Sequence, residues 1–468
     1  MIKKKQAIEE LLEGVLVPED EQPFLVPENW IWVRTQTTND IVTGSTPAKK
    51  KSEYYGGDFP FVKPADLEQG SEVIHASEYL TEEGKDVSRI IPKESTMVCC
   101  IGSIGKAGFN TVECTTNQQI NSLVPNKKMI DPKFNYYQIL NGTYQNELWN
   151  RSSATTVSII NKGKMSLIPY VFPPLNEQKR IAEKVERLLS KVDEAKQLIE
   201  EAKKTFELRR AAILDKAFRG DLTRKWREEN QCDKLEPIEQ SGNIGPFKLP
   251  HGWEWKKLGE IGELQRGKSK HRPRNDPKLF GGDYPFIQTG DIARSSDYVE
   301  DFSQTLSEFG YNQSKLFPIG TVCITIAANI ADTAILKFPC CFPDSVVGFV
   351  PFKEIVSSEF VHYYISTIKN DLEHYAPATA QKNINLKILN EVLVPVPSLK
   401  EHDVIMHKIK SLLDKEYEAS QYLSLEKSIE LLKKSLLSKA FRGELGTNDL
   451  IEESCIELLK EVLQQNLN

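Results

Sequence analysis

No stretch of this 468-residue chain reaches the ~20 consecutive apolar residues that a membrane helix needs, so a membrane protein is not expected. The opening segment MIKKKQAIEELLEGV has basic residues, but Glu9 and Glu10 stand where a signal peptide would carry its apolar core. Cysteine is sparse, at eight residues, and no Cys-x-x-Cys occurs. The adjacent pairs Cys99-Cys100 and Cys340-Cys341 give neither a disulfide framework nor a zinc site, and a reducing, cytoplasmic location is expected. The seven histidines are scattered without ligand spacing. Catalytic signatures are missing too: no glycine-rich dinucleotide loop after a strand, no nucleophile elbow and no paired-histidine metal helix. Gly102-Ser-Ile-Gly-Lys106 approaches a phosphate loop but lacks its spacing and following hydroxyl, so it reads as a turn. Phe172-Pro-Pro-Leu175 lacks the flanking Asn/Asp and aromatic of an amino-methyltransferase site. Nothing reads as an enzyme by itself, and no cofactor or metal is expected in this chain.

One-sided charge is also absent: 60 Lys+Arg stand against 66 Asp+Glu, a net −6. Taken alone, that balance speaks against a chain coated in nucleic acid. The total conceals local excess, however. Arg266, Lys268, Lys270, His271, Arg272, Arg274 and Lys278 crowd a segment holding one acid, Asp276, and Lys49, Lys50 and Lys51 form a smaller run. Any one such run reads as a solvated loop; two in corresponding places call for a search for repeats.

The chain is written twice. Lys216-Ala-Phe-Arg-Gly-Asp-Leu222 returns as Lys439-Ala-Phe-Arg-Gly-Glu-Leu445, and Pro27-Glu-Asn-Trp-Ile-Trp32 as Pro250-His-Gly-Trp-Glu-Trp255, both at an offset of 223. Gly56-Gly-Asp-Phe-Pro-Phe61 matches Gly281-Gly-Asp-Tyr-Pro-Phe286, and Val171-Phe-Pro-Pro-Leu175 matches Pro395-Val-Pro-Ser-Leu399. Ordered anchors at a nearly constant, domain-sized offset mean a tandem duplication.

Each half opens with about 150 residues rich in turn residues and short β-branched runs, the pattern of a mixed α/β domain. Thr96–Ile101 and Thr321–Ile326 read as buried strands. Each half then turns helical. No Pro or Gly interrupts Asn176–Lys216, and Ile181, Val185, Leu188, Val192, Ala195, Ile199, Ala202 and Phe206 alternate steps of four and three, a heptad seam. The second copy, Lys400–Lys439, carries Ile405, Ile409, Leu412, Ala419 and Leu423, then Leu425, Ile429, Leu432 and Leu436, with one register slip near Leu423–Leu425. Ser398-x-x-Glu401 forms a capping box, and Gly220 and Gly443 stand where helices end. Each helix is about 40 residues, roughly 60 Å at 1.5 Å per residue. Both ends of the first are tied to globular domains, so an antiparallel pair with internal pseudo-two-fold symmetry is expected.

With these residues in view, a family resemblance enters. Pro173-Pro-Leu-Asn-Glu-Gln-Lys-Arg-Ile181 leading a long helix that ends in Lys-Ala-Phe-Arg-Gly-Asp-Leu222 resembles the specificity subunit of Type I restriction-modification systems. So do the Trp-x-Trp openings, Thr116-Asn-Gln-Gln119 and Gln381-Lys-Asn-Ile384, and the likeness runs from about Pro27 to Leu445. It departs in copy two, where Lys400-Glu-His-Asp replaces Asn176-Glu-Gln-Lys, and at Val33-Arg-Thr-Gln-Thr-Thr, where Lys257-Leu-Gly-Glu-Ile261 is the more typical form.

The resemblance implies an α+β fold: two mixed α/β target recognition domains in tandem, separated by two long helices forming an antiparallel coiled coil. The expected layout is an N-terminal extension (1–26), a first recognition domain (27–174), a first spacer helix (175–222), a linker (223–249), a second recognition domain (250–398), a second spacer helix (399–445) and a C-terminal tail (446–468). In the tail, Leu450, Ile451, Cys455, Leu458, Leu459 and Val462 suggest an amphipathic helix packed on the coiled coil.

By resemblance, each domain reads one half of a split double-stranded DNA sequence, and the helices dock two methyltransferase subunits and, through them, two restriction subunits. S-adenosylmethionine, ATP and magnesium then belong to those partners, which methylate adenine and cleave DNA. Candidate DNA contacts are Thr43, Lys49, Lys50 and Lys51 with counterparts Arg266, Lys268, Lys270, Arg272 and Arg274; Ser103, Asn117 and Gln118 with counterpart Asn329; and Thr155, Thr156, Asn161 and Lys162 with counterparts Thr379, Gln381, Lys382 and Asn383. Lys63 and Gln288 follow the matched Pro-Phe segments. Phe218, Arg219, Phe441 and Arg442, at the duplicated helix ends, are candidate docking residues. Two other readings are a recognition module for another methyltransferase type and a two-headed coiled-coil scaffold with no DNA role.

Overall fold

The computed structural model describes residues 2–154, 157–230, 245–271, 273–327, 330–375, 384–421, 426–452 and 454–466. The helices that organise it are, in chain order, α1 (Ile2–Val15), α2 (Pro132–Leu140), α3 (Leu175–Phe218), α4 (Ser358–Thr367), α5 (Leu399–Gln421), α6 (Glu426–Ala440) and α7 (Cys455–Asn466). The chain divides into two compact units, Met1–Ile199 with Leu425–Asn468, and Glu200–Ser424. The 44-residue α3 therefore starts in the first and ends in the second.

In the first unit, Asn39–Thr43, Ile120–Pro125, Thr96–Cys99 and Ala107–Phe109 lie side by side as an antiparallel sheet. A second sheet orders Glu78–Leu80, Tyr55–Val62, Cys114–Thr116 and Ile90–Ile91. All four residues of Thr96–Cys99 are buried, which is why that strand reads as an unbroken apolar run rather than an alternating one. A short pair, Ile31–Arg34 with Pro169–Phe172, joins the start of the domain to the segment that feeds α3. The second unit repeats the plan. Gly262–Arg266, Val346–Pro351, Val322–Thr325, Thr333–Leu336 and Tyr298–Val299 form one sheet; Gln304–Leu306, Phe280–Phe286, Cys340–Cys341 and Leu316–Phe317 form another. Glu254–Lys257 pairs with Leu393–Val396. The two divergent openings converge on one local shape, a strand followed by a single helical turn, Thr35–Thr38 and Leu258–Ile261.

Within each unit the helices pack antiparallel. In the first, Asp193 of α3 pairs with Lys433 of α6, while Lys184 donates to the Leu445 carbonyl and Arg180 makes a bidentate pair with Glu452 at 2.9 Å. In the second, Arg209 of α3 meets Glu416 of α5 at 3.7 Å, and Lys408 donates to the Leu222 carbonyl at 2.6 Å. Gly220 and Gly443 adopt left-handed backbone (φ 77° and 75°), ending the helices as a side chain would resist doing.

The seam differs from the expected heptads. Ile181 and Val185 are buried and Leu188 to Phe206 mostly half-buried, but Ala195 is exposed. In the second copy the buried positions are Ile405, Ile409 and Leu413, then Ile429 and Leu437; Leu412 and Leu436 are half-buried and Leu432 is exposed. The helix ends bury against domain cores, and those cores select a stripe advancing in steps of four. The side chain of Ala419, with Leu423, Leu425 and the expected register slip, lies outside the described residues.

Each helix start is held by a tryptophan. Trp30 Nε1 donates to Glu177 at 2.7 Å, and Trp253 Nε1 to Glu401 at 2.9 Å. The second tryptophan of each motif, Trp32 or Trp255, donates to the carbonyl of Phe24 or Phe247. The Ser398–Glu401 box is half-formed: the Glu401 amide reaches Ser398 Oγ, but its carboxylate is drawn to Thr223, Arg227 and Trp253 instead. His402 does the work of Gln178. Gln178 Oε1 accepts the Asp131 amide ahead of α2, and His402 Nε2 accepts the Ser357 amide ahead of α4. In the tail, α7 begins only at Cys455, beyond the exposed Leu450 and Ile451; Cys455 and Leu459 enter the first unit's core, and α7 packs on α1.

Candidate nucleic-acid interface

In the first unit, backbone hydrogen bonds gather the expected loop sets along one sheet edge. Gly44 donates to Ile120 and Ser45 to Thr116; Cys100 donates to Gln119; Gly102 donates to Ser158, and Ile160 to Cys100. The loops after Thr43, around Ser103, around Asn117 and before Asn161 are thus neighbours. Lys63 sits at the same edge, because the Asn117 amide donates to Val62. The matched edge of the second unit is built alike: Gly267 donates to Val346, Ile326 to Ser345, Ile384 to Ile326 and Ile287 to Cys341. Both loops pass too close to a neighbouring strand for a side chain. A Cβ on Gly44 would lie 2.2 Å from Thr116 Oγ1, and one on Gly267 would lie 2.3 Å from the Pro343 carbonyl.

The side chains divide by how they are engaged. Lys49, Lys50, Ser103, Lys162, Lys268 and Lys270 are exposed. Thr43 Oγ1 donates to Asn121, Asn117 to Gln119 and Lys51 to the Tyr54 hydroxyl, and Lys63 forms an ion pair with Glu78. The Tyr54 hydrogen bond also raises the Lys51 ammonium's pKa, so it stays charged. Asn161 caps the Lys162–Ser166 turn, and Gln288 caps Thr289–Arg294 while donating to Gln304. Lys268, Lys270, Arg274 and Gln288 line one cleft of about 150 Å³, so the basic loop and the glutamine foreseen separately meet there. His271 bonds to Asp276, whose pKa is lowered first by the Lys278 amide and then by that histidine. Thr155, Thr156, Arg272, Asn329, Thr379, Gln381, Lys382 and Asn383 lie outside the described residues.

Thr46 falls within the expected loop from Thr43 to Lys51, whereas Arg89 and Asp344 escaped the sequence reading. Thr46 donates to Gln118, Arg89 donates to the Thr43 carbonyl at 2.7 Å, and Asp344 holds Arg274. Asp344 was findable, since aligning Thr116–Pro125 with Phe342–Pro351 puts it opposite Gln118. Arg89 carries no such signal.

The proposed docking residues need correction. Phe218 and Phe441 are 2% and 0% exposed. Phe218 packs on Phe360 and Tyr364 of α4, and Phe441 on Phe134 of α2, with ring centroids 5.1–5.2 Å apart. They anchor helix ends in domain cores and present nothing to a partner. Arg219 and Arg442 remain exposed, each stacked 4.6 Å over a phenylalanine, Phe247 and Phe24.

Comparison with known proteins gives the same reading. Residues 27–204 and 250–427 each match the model of the Type I restriction modification DNA specificity domain. The chain is 24% identical to the Type I restriction enzyme MjaIX specificity subunit of Methanocaldococcus jannaschii over 452 residues, covering 91% of this chain and 95% of that one. It is also 24% identical to the EcoKI specificity subunit of Escherichia coli, covering 93% and 95%. A solved structure described as "Structural basis underlying complex assembly and conformational transition of the type I R-M system" shares the fold, with a TM-score of 0.71 at 20% identity over 90% of this chain and all of that one. With two copies of the family's domain in tandem, the chain belongs to the Type I restriction-modification DNA specificity subunits.

Proposed function

We propose that each unit reads one half of a bipartite double-stranded DNA sequence through its loop edge. The duplicated edge carries this reading: the same backbone scaffold is built twice, and the side chains it displays differ between copies. Exposed lysines supply phosphate attraction that is blind to sequence, and Gln, Asn and Arg on the same edge supply base-edge contacts. A negative chain is compatible with this, because a local patch rather than the total sets the field at the groove.

The chain acts as the specificity component of an assembly with methyltransferase subunits and, through them, restriction subunits, two of each. Adenine methylation and ATP-driven cleavage belong to those partners, with S-adenosylmethionine, ATP and magnesium; this chain contributes recognition and no catalytic group. Among the described residues no group of His, Cys, Asp and Glu is arranged to hold a metal ion, and no helix is long and apolar enough to cross a membrane. A cytoplasmic location suits such a partner set. The test is to express the chain with its methyltransferase and sequence host DNA for methyladenine. One split motif is the expected result; a continuous motif, or none, would overturn the proposal.

A further inference from the structure

Beside the basic cleft of the second unit, an acid that DNA binding alone would not call for holds one of the residues that line it. Arg274 Nη2 donates to both carboxylate oxygens of Asp344, at 2.9 and 3.0 Å. The backbone carbonyl of Asp344 accepts from Arg266 Nε. Pro343 and Ser345, its chain neighbours, line the cleft together with Lys268, Lys270 and Arg274. A carboxylate there repels phosphate and lowers unspecific attraction. Its gain is orientation. Both bonds use one nitrogen of Arg274, Nη2, so they tether that end of the guanidinium, and Asp344 engages neither Nη1 nor Nε of the fork. That fork geometry is the one that meets guanine O6 and N7 in the major groove.

The matched position of the first unit supports an assignment to specificity. Gln118, aligned with Asp344, accepts from Thr46 in the corresponding loop. One position therefore fastens the reading loop in both units, with a neutral amide in one and a carboxylate in the other. We propose that Asp344 is a positioning residue that aims Arg274 at a guanine in the half-site of the second unit. The inference rests on the DNA-reading role proposed above.

The test uses the full chain assembled with its methyltransferase. Wild type, Asp344→Ala, Asp344→Asn and Asp344→Glu are compared by methyladenine sequencing and by duplex binding over a series of salt concentrations. The alanine variant is expected to lose roughly tenfold discrimination at one base pair of one half-site. Its unspecific affinity should hold or rise, the other half-site should be unchanged, and the glutamate variant should regain part of the discrimination. Asn keeps the side chain's shape, so it carries the test should alanine unfold the loop. An unaltered motif with tighter unspecific binding would overturn the inference, leaving simple repulsion. A uniform loss of affinity for all sequences would overturn it too, by making Asp344 a fold-holding residue. If wild type itself yields no defined motif, the DNA-reading role fails, which is distinguishable from failure of Asp344 alone.

Discussion

Glu177 and Glu401 occupy matched places at the two helix starts, each receiving a tryptophan N–H, yet their electrostatic settings differ. Glu401 is buried against the guanidinium of Arg227, with side chains 3% and 7% exposed. Among the described residues Glu177 has no such arginine; Arg180 nearby is taken by Glu452. Burial therefore raises the pKa of Glu177, only partly opposed by the Trp30 bond and by Arg180. An acid with a raised native pKa adds stability below its unfolded value, and that stability is lost as pH rises through the native value. At neutral pH ionised Glu177 is thus a cost. Glu177→Gln, which keeps an acceptor for Trp30, is expected to raise the melting temperature at pH 7 and to lose that advantage below about pH 4. Glu401→Gln should instead destabilise by about 3–5 kcal/mol, since it strands a buried arginine. Denaturant unfolding of both variants checks the contrast; equal losses would refute it. At the reading edge, Lys268 and Lys270 are exposed, whereas Arg274 is held by Asp344. Replacing both lysines with Ala should weaken binding alike for all sequences and flatten the salt dependence by about 0.9 per lost phosphate contact. An unchanged slope would make that run a solvated face. The sequence announces the lysines by their density, whereas Asp344, 70 residues away from Arg274, shows itself only once the two halves are aligned.

At the scale of elements, the duplicated Lys-Ala-Phe-Arg-Gly helix ends are anchors. Phe218 belongs to the core containing Trp253, Phe360 and Ile405, and Phe441 to the core containing Trp30, Phe134 and Ile181. Phe218→Ala or Phe441→Ala should cost about 3–5 kcal/mol, the range for deleting a buried phenyl ring. Separate melting transitions would show whether each loss is confined to its unit. Intact stability combined with loss of methyltransferase binding would restore the docking role. A phenylalanine beside arginine and glycine at a helix end fits either a surface or a core in sequence; only the ring partners from α2 and α4, distant in the chain, decide. The strands and long helices were more legible. Thr96–Cys99 declares burial on both faces by being wholly apolar or small, and α3 declares itself by lacking Pro and Gly over forty positions. The buried stripe was legible at Ile181, Val185, Ile405 and Ile409. It failed at Ala195 and Leu432, which are exposed, because heptad counting presumes that a helix partner alone sets the buried face.

At the scale of the molecule, duplication was visible from motif spacing, and a second feature follows from where each half closes. The first unit's core draws on α1, α6 and α7 as well as its own sheets, so it is completed by residues more than 400 positions from its start. Exchange of a reading domain must respect that closure. Ile31–Arg34 pairs with Pro169–Phe172, so a graft of residues 27–172 keeps the strand pair whole, whereas a cut inside it would sever the register. The incoming domain must also supply an indole for Glu177, an amide for Gln178 and a ring for Phe441, as Trp30, Asp131 and Phe134 do here. These contacts use general features of the scaffold, while the loop edge is contained within residues 43–162. A graft from a relative meeting those conditions is therefore expected to fold with unchanged stability and to change one half of the methylated motif, leaving the other half intact. Methyladenine sequencing before and after the exchange is the measurement. A change in both halves would mean that the two units do not read independently, and an unchanged motif would place recognition outside the exchanged loops.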